Sequence, residues 1–126
     1  MTTNQYLSSK YRSFNKENCC KLWLDDRQNF YRWYRRQLKR QKQACTYCHL
    51  PGDTEEYYGK RFRGGRRGQR LEVERPESKE PYSPENCVLA CYPCNNAKSD
   101  VFSYAEFLEI GKAIRKVAIR RVKMQS

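Results

Sequence analysis

Apolar positions recur with two different periods along this chain, and the change of period divides it into elements. Between Asp25 and Gln43, Phe30, Trp33, Tyr34, Gln37 and Leu38 fall three and four residues apart, the spacing of one helical face. Asp25 and Asp26 stand at its amino end, where carboxylates suit the helix dipole, and Arg32, Arg35, Arg36, Lys39, Arg40 and Lys42 decorate the rest. A second stripe, Phe107, Leu108, Ile114, Ala118, Ile119 and Val122, follows a Ser103-Tyr-Ala-Glu106 capping box. It predicts a helix from about 103 to 122 despite Gly111. Between these helices the period falls to two. Leu71 and Val73 alternate with Glu72 and Glu74 as a short strand, and Cys87-Val-Leu-Ala-Cys91 reads as its partner. Pro76, Pro81, Ser83 and Pro84 mark the loop between them, and Asn95-Asn-Ala-Lys-Ser opens another helical turn.

Two stretches lack periodicity. Residues 1–18 are polar and rich in Ser, Asn and Lys, so residues 1–24 are expected to form a loosely ordered arm ahead of a single domain over 25–126. Residues 51–70 read as a loop made flexible by Gly59, Gly64, Gly65 and Gly68. Within it Lys60, Arg61, Arg63, Arg66, Arg67 and Arg70 have no acidic residue among them, and Tyr57, Tyr58 and Phe62 are interleaved. The fold class is α+β, a small strand pair flanked by an N-terminal and a C-terminal helix.

Charge sharpens this outline. The 126 residues carry 26 Lys and Arg against 14 Asp and Glu, a formal net charge of +12, which favours a polyanionic partner. Ten tyrosines, five phenylalanines and two tryptophans exclude a merely disordered basic tail. The basic, aromatic loop 51–70 suits a phosphate backbone. No apolar run reaches the length of a signal peptide or membrane span, so a cytoplasmic, reducing compartment and no membrane partner are expected.

The cysteines carry the candidate chemistry. Cys45-Thr-Tyr-Cys48 and Cys91-Tyr-Pro-Cys94 are two Cys-x-x-Cys knuckles, and four thiolates at this spacing can close a tetrahedral Zn²⁺ site. Cys19, Cys20 and Cys87 make the total odd at seven. In a reducing compartment zinc is a stronger explanation than disulfides. A small polar chain also gains from a metal staple.

The ordered set of knuckle, Leu71-Glu-Val-Glu-Arg75, Pro84-Glu-Asn-Cys-Val-Leu-Ala90, knuckle and Asn95-Asn-Ala-Lys98 resembles the HNH nucleases of the ββα-metal fold. The matching stretch runs from Cys45 to about Phe107. The resemblance implies a zinc-framed core over about 45–107, with Glu74 and Asn95 as ligands of a catalytic Mg²⁺ or Mn²⁺. It further implies that Asn86 braces the catalytic loop and that Lys98 reaches a phosphate oxygen. A carboxylate and an amide carbonyl are the oxygen donors a hard divalent cation takes. Double-stranded DNA is the implied partner, as a specific restriction or homing site or as any duplex. A palindromic site would imply a homodimer.

One position departs from the family. Arg75 stands where the family places a histidine base, and a guanidinium cannot accept a proton at ordinary pH. Rare-cutting restriction members show the same acid-Arg pair, acid-to-Asn spacing and Tyr-Ser-Pro, with a tyrosine starting cleavage. That similarity implies retained activity, with Arg75 stabilising the phosphate in the transition state. Tyr57, Tyr58 and His49 are the candidate proton acceptors. Tyr47, inside the first knuckle, reads as a packing residue, and Tyr82 lies in the loop joining the strands. The competing reading is an inactive zinc-ribbon module that binds nucleic acid and has lost its base. A basic RNA-associated structural protein explains the charge but not Glu74, Asn86 and Asn95.

Overall fold

The computed structural model describes residues 1–125. Six helices surround one antiparallel strand pair: α1 Thr3–Arg12, α2 Lys21–Asp25, α3 Arg27–Arg40, α4 Glu55–Tyr58, β1 Glu72–Glu74, β2 Val88–Ala90, α5 Tyr92–Lys98 and α6 Tyr104–Gln125. The pairing sets Glu72 opposite Ala90, Val73 opposite Leu89 and Glu74 opposite Val88. Among the described residues no helix is long and apolar enough to cross a membrane.

The expected loose arm is folded. Thr2 and Gln5 cap α1 reciprocally, with bonds of 3.1 Å and 2.7 Å, satisfying two orphan amides of its first turn. Leu7 of α1 is buried, and Phe14 packs against Trp23, Phe30 and Tyr82 with ring centroids 5.9, 5.0 and 5.0 Å away. Each partner lies outside the first eighteen residues, so local polarity gave no sign of it.

The long basic helix begins two residues later than expected. Asp26 is extended at φ −152° and its Oδ1 accepts from the Gln28 amide at 2.9 Å, separating α2 from α3. Phe30, Trp33 and Tyr34 form the buried face of α3. The capping box of α6 forms as expected, Glu106 N to Ser103 Oγ at 3.1 Å and Ser103 N to Glu106 Oε1 at 2.9 Å.

The strand pair is covered on both faces, so Glu72 and Glu74, which alternate with Leu71 and Val73, do not face solvent. They are 1% and 4% exposed. Its edges are satisfied by side chains from elsewhere. Tyr6 Oη accepts the Val73 amide at 2.8 Å. The Gln41 amide group bonds both Leu89 N and Leu89 O, at 3.0 and 2.9 Å.

The loop 51–70 is closed rather than free. Buried Thr54 bonds the Gly68 carbonyl through its amide at 2.7 Å and its hydroxyl at 3.0 Å. Between these ends lie α4 and a 3₁₀ turn at Arg63–Gly65.

Candidate functional site

The two knuckles meet at the foot of the sheet. The Sγ atoms of Cys45, Cys48, Cys91 and Cys94 are buried and lie within 4.8 Å of one another, with Cys48 and Cys91 at 3.6 Å. A tetrahedral zinc with bonds of about 2.3 Å needs sulfurs roughly 3.8 Å apart, so the cluster fits that ion. Hydrogen bonds from Cys48, Cys91 and Cys94 drive the Cys45 thiol far below its ordinary value, and hydrogen bonding to Cys45 drives Cys94 far above its own. A cation shared by all four sulfurs resolves that competition for protons. Cys19, Cys20 and Cys87 lie outside this cluster, and Cys19 and Cys87 are pushed up to about 12 chiefly by burial.

The end of β1 and the middle of α5 bring Glu74, Arg75 and Asn95 to one small cavity of 160 Å³, lined also by Lys10, Tyr82 and Asp100. It adjoins a 310 Å³ hollow lined by Tyr6, Arg67 and Glu72, and the two share Lys10, Val73 and Asn95. A wider hollow, 620 Å³, runs between basic side chains of α6 and contains none of these groups.

Glu74 is held from two sides. Tyr47 Oη donates to its Oε2 at 2.7 Å, and Lys98 Nζ lies 3.2 Å from its Oε1. Lys98 is 1% exposed and also donates to the Pro76 carbonyl at 3.1 Å. It is therefore turned inward onto the carboxylate rather than outward toward a phosphate, which corrects the role expected for it. Burial, and then the charge on Glu74, pushes the Tyr47 phenol well above its ordinary value. A carboxylate keeps lone pairs free beyond these two contacts, so Glu74 and Asn95 retain oxygen donors for a hard divalent cation.

Asn86 does not line the cavity. Its Nδ2 donates to the carbonyls of Glu77, Glu80 and Pro81 at 3.1, 3.2 and 3.1 Å, tying the β1–β2 loop together behind the cavity.

The three expected proton acceptors are elsewhere. Tyr57 and Tyr58 line a different hollow with Arg121, and the Tyr58 ring lies 5.2 Å from that guanidinium. Burial pushes the Tyr58 phenol up to about 12. His49 is exposed, at φ 60°, with its carbonyl on Arg115 at 3.2 Å. None of the three lines the cavity of Glu74 and Asn95. The structure instead places Tyr47 on Glu74. The sequence signal was its position between two metal ligands, which had suggested packing alone.

The basic loop divides. Lys60, Arg61, Arg63 and Arg66 are exposed. Arg67 forms a two-pronged ion pair with buried Glu72, Nε at 2.8 Å, and stacks 4.2 Å over the Tyr92 ring. Arg70 bonds the Met1 carbonyl and Gln69. Those two guanidinium groups are committed to holding the fold.

No known family model matches the chain, and no curated protein matches it. Among solved structures it is similar to the rare-cutting HNH restriction endonuclease PacI, whose structural study describes a mechanism of DNA perturbation. The two are 30% identical, the match covers 90% of this chain and 75% of that one, and the TM-score is 0.63. The chain belongs to the HNH endonuclease family. In this HNH protein the sulfur cluster staples the two knuckles, and the strand pair with α5 presents Glu74, Arg75 and Asn95 together.

Proposed function

We propose that this HNH protein is a divalent-metal-dependent endonuclease that hydrolyses phosphodiester bonds in double-stranded DNA. The observation that carries this reading is the single cavity shared by Glu74, Asn95 and Arg75. Zn²⁺ on Cys45, Cys48, Cys91 and Cys94 has the structural role, and Mg²⁺ or Mn²⁺ is assigned to Glu74 and Asn95. The divalent ion supplies Lewis-acid stabilisation of the scissile phosphate and of the leaving oxygen.

The protein's own groups do the rest. Lys98 and Tyr47 fix the carboxylate of Glu74, so its donor atoms need no reorganisation on metal binding. Arg75 offers a permanent positive charge to the phosphate, whose negative charge it stabilises through the transition state. Tyr47 positions Glu74 through the 2.7 Å bond from its phenol, which is fully buried and does not line the cavity.

Plasmid nicking with Mg²⁺ or Mn²⁺ tests the reading, with Asn95→Ala and Tyr47→Phe as variants. Both leave the buried Glu74–Lys98 pair intact, so the fold survives. The wild type is expected to nick, and each variant to lose at least tenfold in rate. A wild type that binds DNA yet nicks nothing across metals and pH would establish the inactive binding module. Discrete fragments rather than a smear would identify a specific site.

A further inference from the structure

The N-terminal helix delivers a side chain to the site. Lys10, in the last turn of α1, lines both hollows and faces the same cavity as Glu74, Arg75 and Asn95. Its Nζ donates to Tyr82 Oη at 3.0 Å and lies 4.5 Å from the centre of that ring. The Arg75 guanidinium carbon lies 4.4 Å from the same centre. Two cations therefore share one aromatic ring at the edge of the cavity, each drawn to its π-face quadrupole.

The ring itself is fixed. Tyr82 N donates to Asn18 O at 2.7 Å, Cys20 N donates to Tyr82 O at 2.9 Å, and Phe14 packs on it. These bonds clip the β1–β2 loop to the turn that follows α1. Neither cation forms an ion pair among the described residues, where the ion pairs are Lys21–Asp25, Arg67–Glu72 and Lys98–Glu74. Asp100 lines the cavity without pairing to either cation, and Glu74 is engaged by Tyr47 and Lys98. Two half-buried like charges held on one ring are a seat for an anion.

We propose that Lys10 and Arg75, held by Tyr82, form a two-cation seat for a backbone phosphate of the DNA strand entering the site. Lys10 is the residue this adds to the nuclease reading, on which the inference rests. The segment ahead of the first knuckle thereby becomes part of the substrate site. Phosphate contacts of this kind set the register of the strand without reading its sequence.

Binding to a duplex oligonucleotide, measured over a range of salt without added divalent metal, separates this inference from the nuclease reading. One lost phosphate contact lowers the steepness of log K against log salt by about 0.9. Lys10→Gln is expected to show that loss and to reduce nicking about ten- to hundredfold, the effect of deleting one hydrogen bond to a charged group. Lys10→Arg should restore the salt slope, which a merely structural role would not require. Lys16→Gln, on the exposed turn after α1, should keep the wild-type slope. A Lys10→Gln slope equal to wild type overturns the seat, even if the wild type cleaves. A reduced slope in a wild-type background that never cleaves upholds the seat and overturns the nuclease.

Discussion

Gly111 sits in the middle of α6, where an Ala replacement ordinarily stabilises a helix by up to about 1 kcal/mol. Here the opposite is expected. A Cβ at this position would fall 2.4 Å from the Tyr47 carbonyl oxygen, 2.5 Å from its carbonyl carbon and 2.8 Å from its Cβ. Carbon contacts normally settle at about 3.5–4.0 Å, so α6 must retreat from the knuckle by roughly 1 Å. The obstacle is backbone between two zinc-ligand cysteines, and it cannot rotate away. Overpacking of this kind costs about 1–3 kcal/mol. Against the propensity gain, Gly111→Ala should therefore be destabilised by about 1–2 kcal/mol, lowering Tm by roughly 3–10 °C for a domain of this size.

The same retreat reaches the cavity at Glu74. Tyr47 holds Glu74 through a 2.7 Å bond, and a shift of about 1 Å would break it. Misplacement on that scale costs on the order of a hundredfold in rate. The assay is a circular-dichroism melt of the zinc-loaded protein beside its initial nicking rate at saturating Mg²⁺. A raised Tm with an unchanged nicking rate would refute the close-approach argument and leave Gly111 as an ordinary helix glycine.

Metal analysis should find one zinc per chain, and Cys94→Ser should abolish zinc uptake and lower the melting temperature, because it removes one of the four buried sulfur ligands that join the knuckles. A chelated protein that melts like the untreated one would remove the zinc assignment. Tyr34 donates to the Leu71 carbonyl at 2.6 Å, and burial pushes its phenol from 10.0 up to about 12. The folded chain thus keeps a proton that the unfolded chain releases above pH 10. Tyr34's contribution is complete below that pH and declines by about 1.4 kcal/mol per pH unit until roughly pH 12. Tyr34→Phe should lose about 1 kcal/mol at neutral pH. It should also show a shallower alkaline decline in urea titrations, and an identical decline would exclude Tyr34 as its source.

Much of the local architecture was legible in the amino-acid order. Paired Cys-x-x-Cys spacing, the Ser103–Glu106 cap and the α6 stripe each depend on residues within a turn or two, or on a metal's fixed geometry. The order Glu74-Arg75, Asn86, Asn95 belongs to the same local class, since β1, β2 and α5 follow one another within residues 72–98. What escaped was decided by partners far along the chain. Leu7 and Phe14 look like members of a polar arm until Trp23, Phe30 and Tyr82 close over Phe14. Glu72 and Glu74 alternate as exposed residues do, yet Arg67, Lys98 and Tyr47 make their burial tolerable by pairing each carboxylate.

The sequence by itself therefore determined that the chain carries four thiolates at zinc spacing on a small ββα unit, with a carboxylate, a guanidinium and an amide in nuclease order. Only the tertiary structure decided which tyrosine touches the carboxylate, that Lys98 turns inward, and that Lys10 reaches the cavity. Helical and strand periods, caps and ligand spacings are short-range constraints written into neighbouring residues. Burial, ion pairing and the sharing of a cavity are set by which distant segments pack together, and no local pattern encodes that.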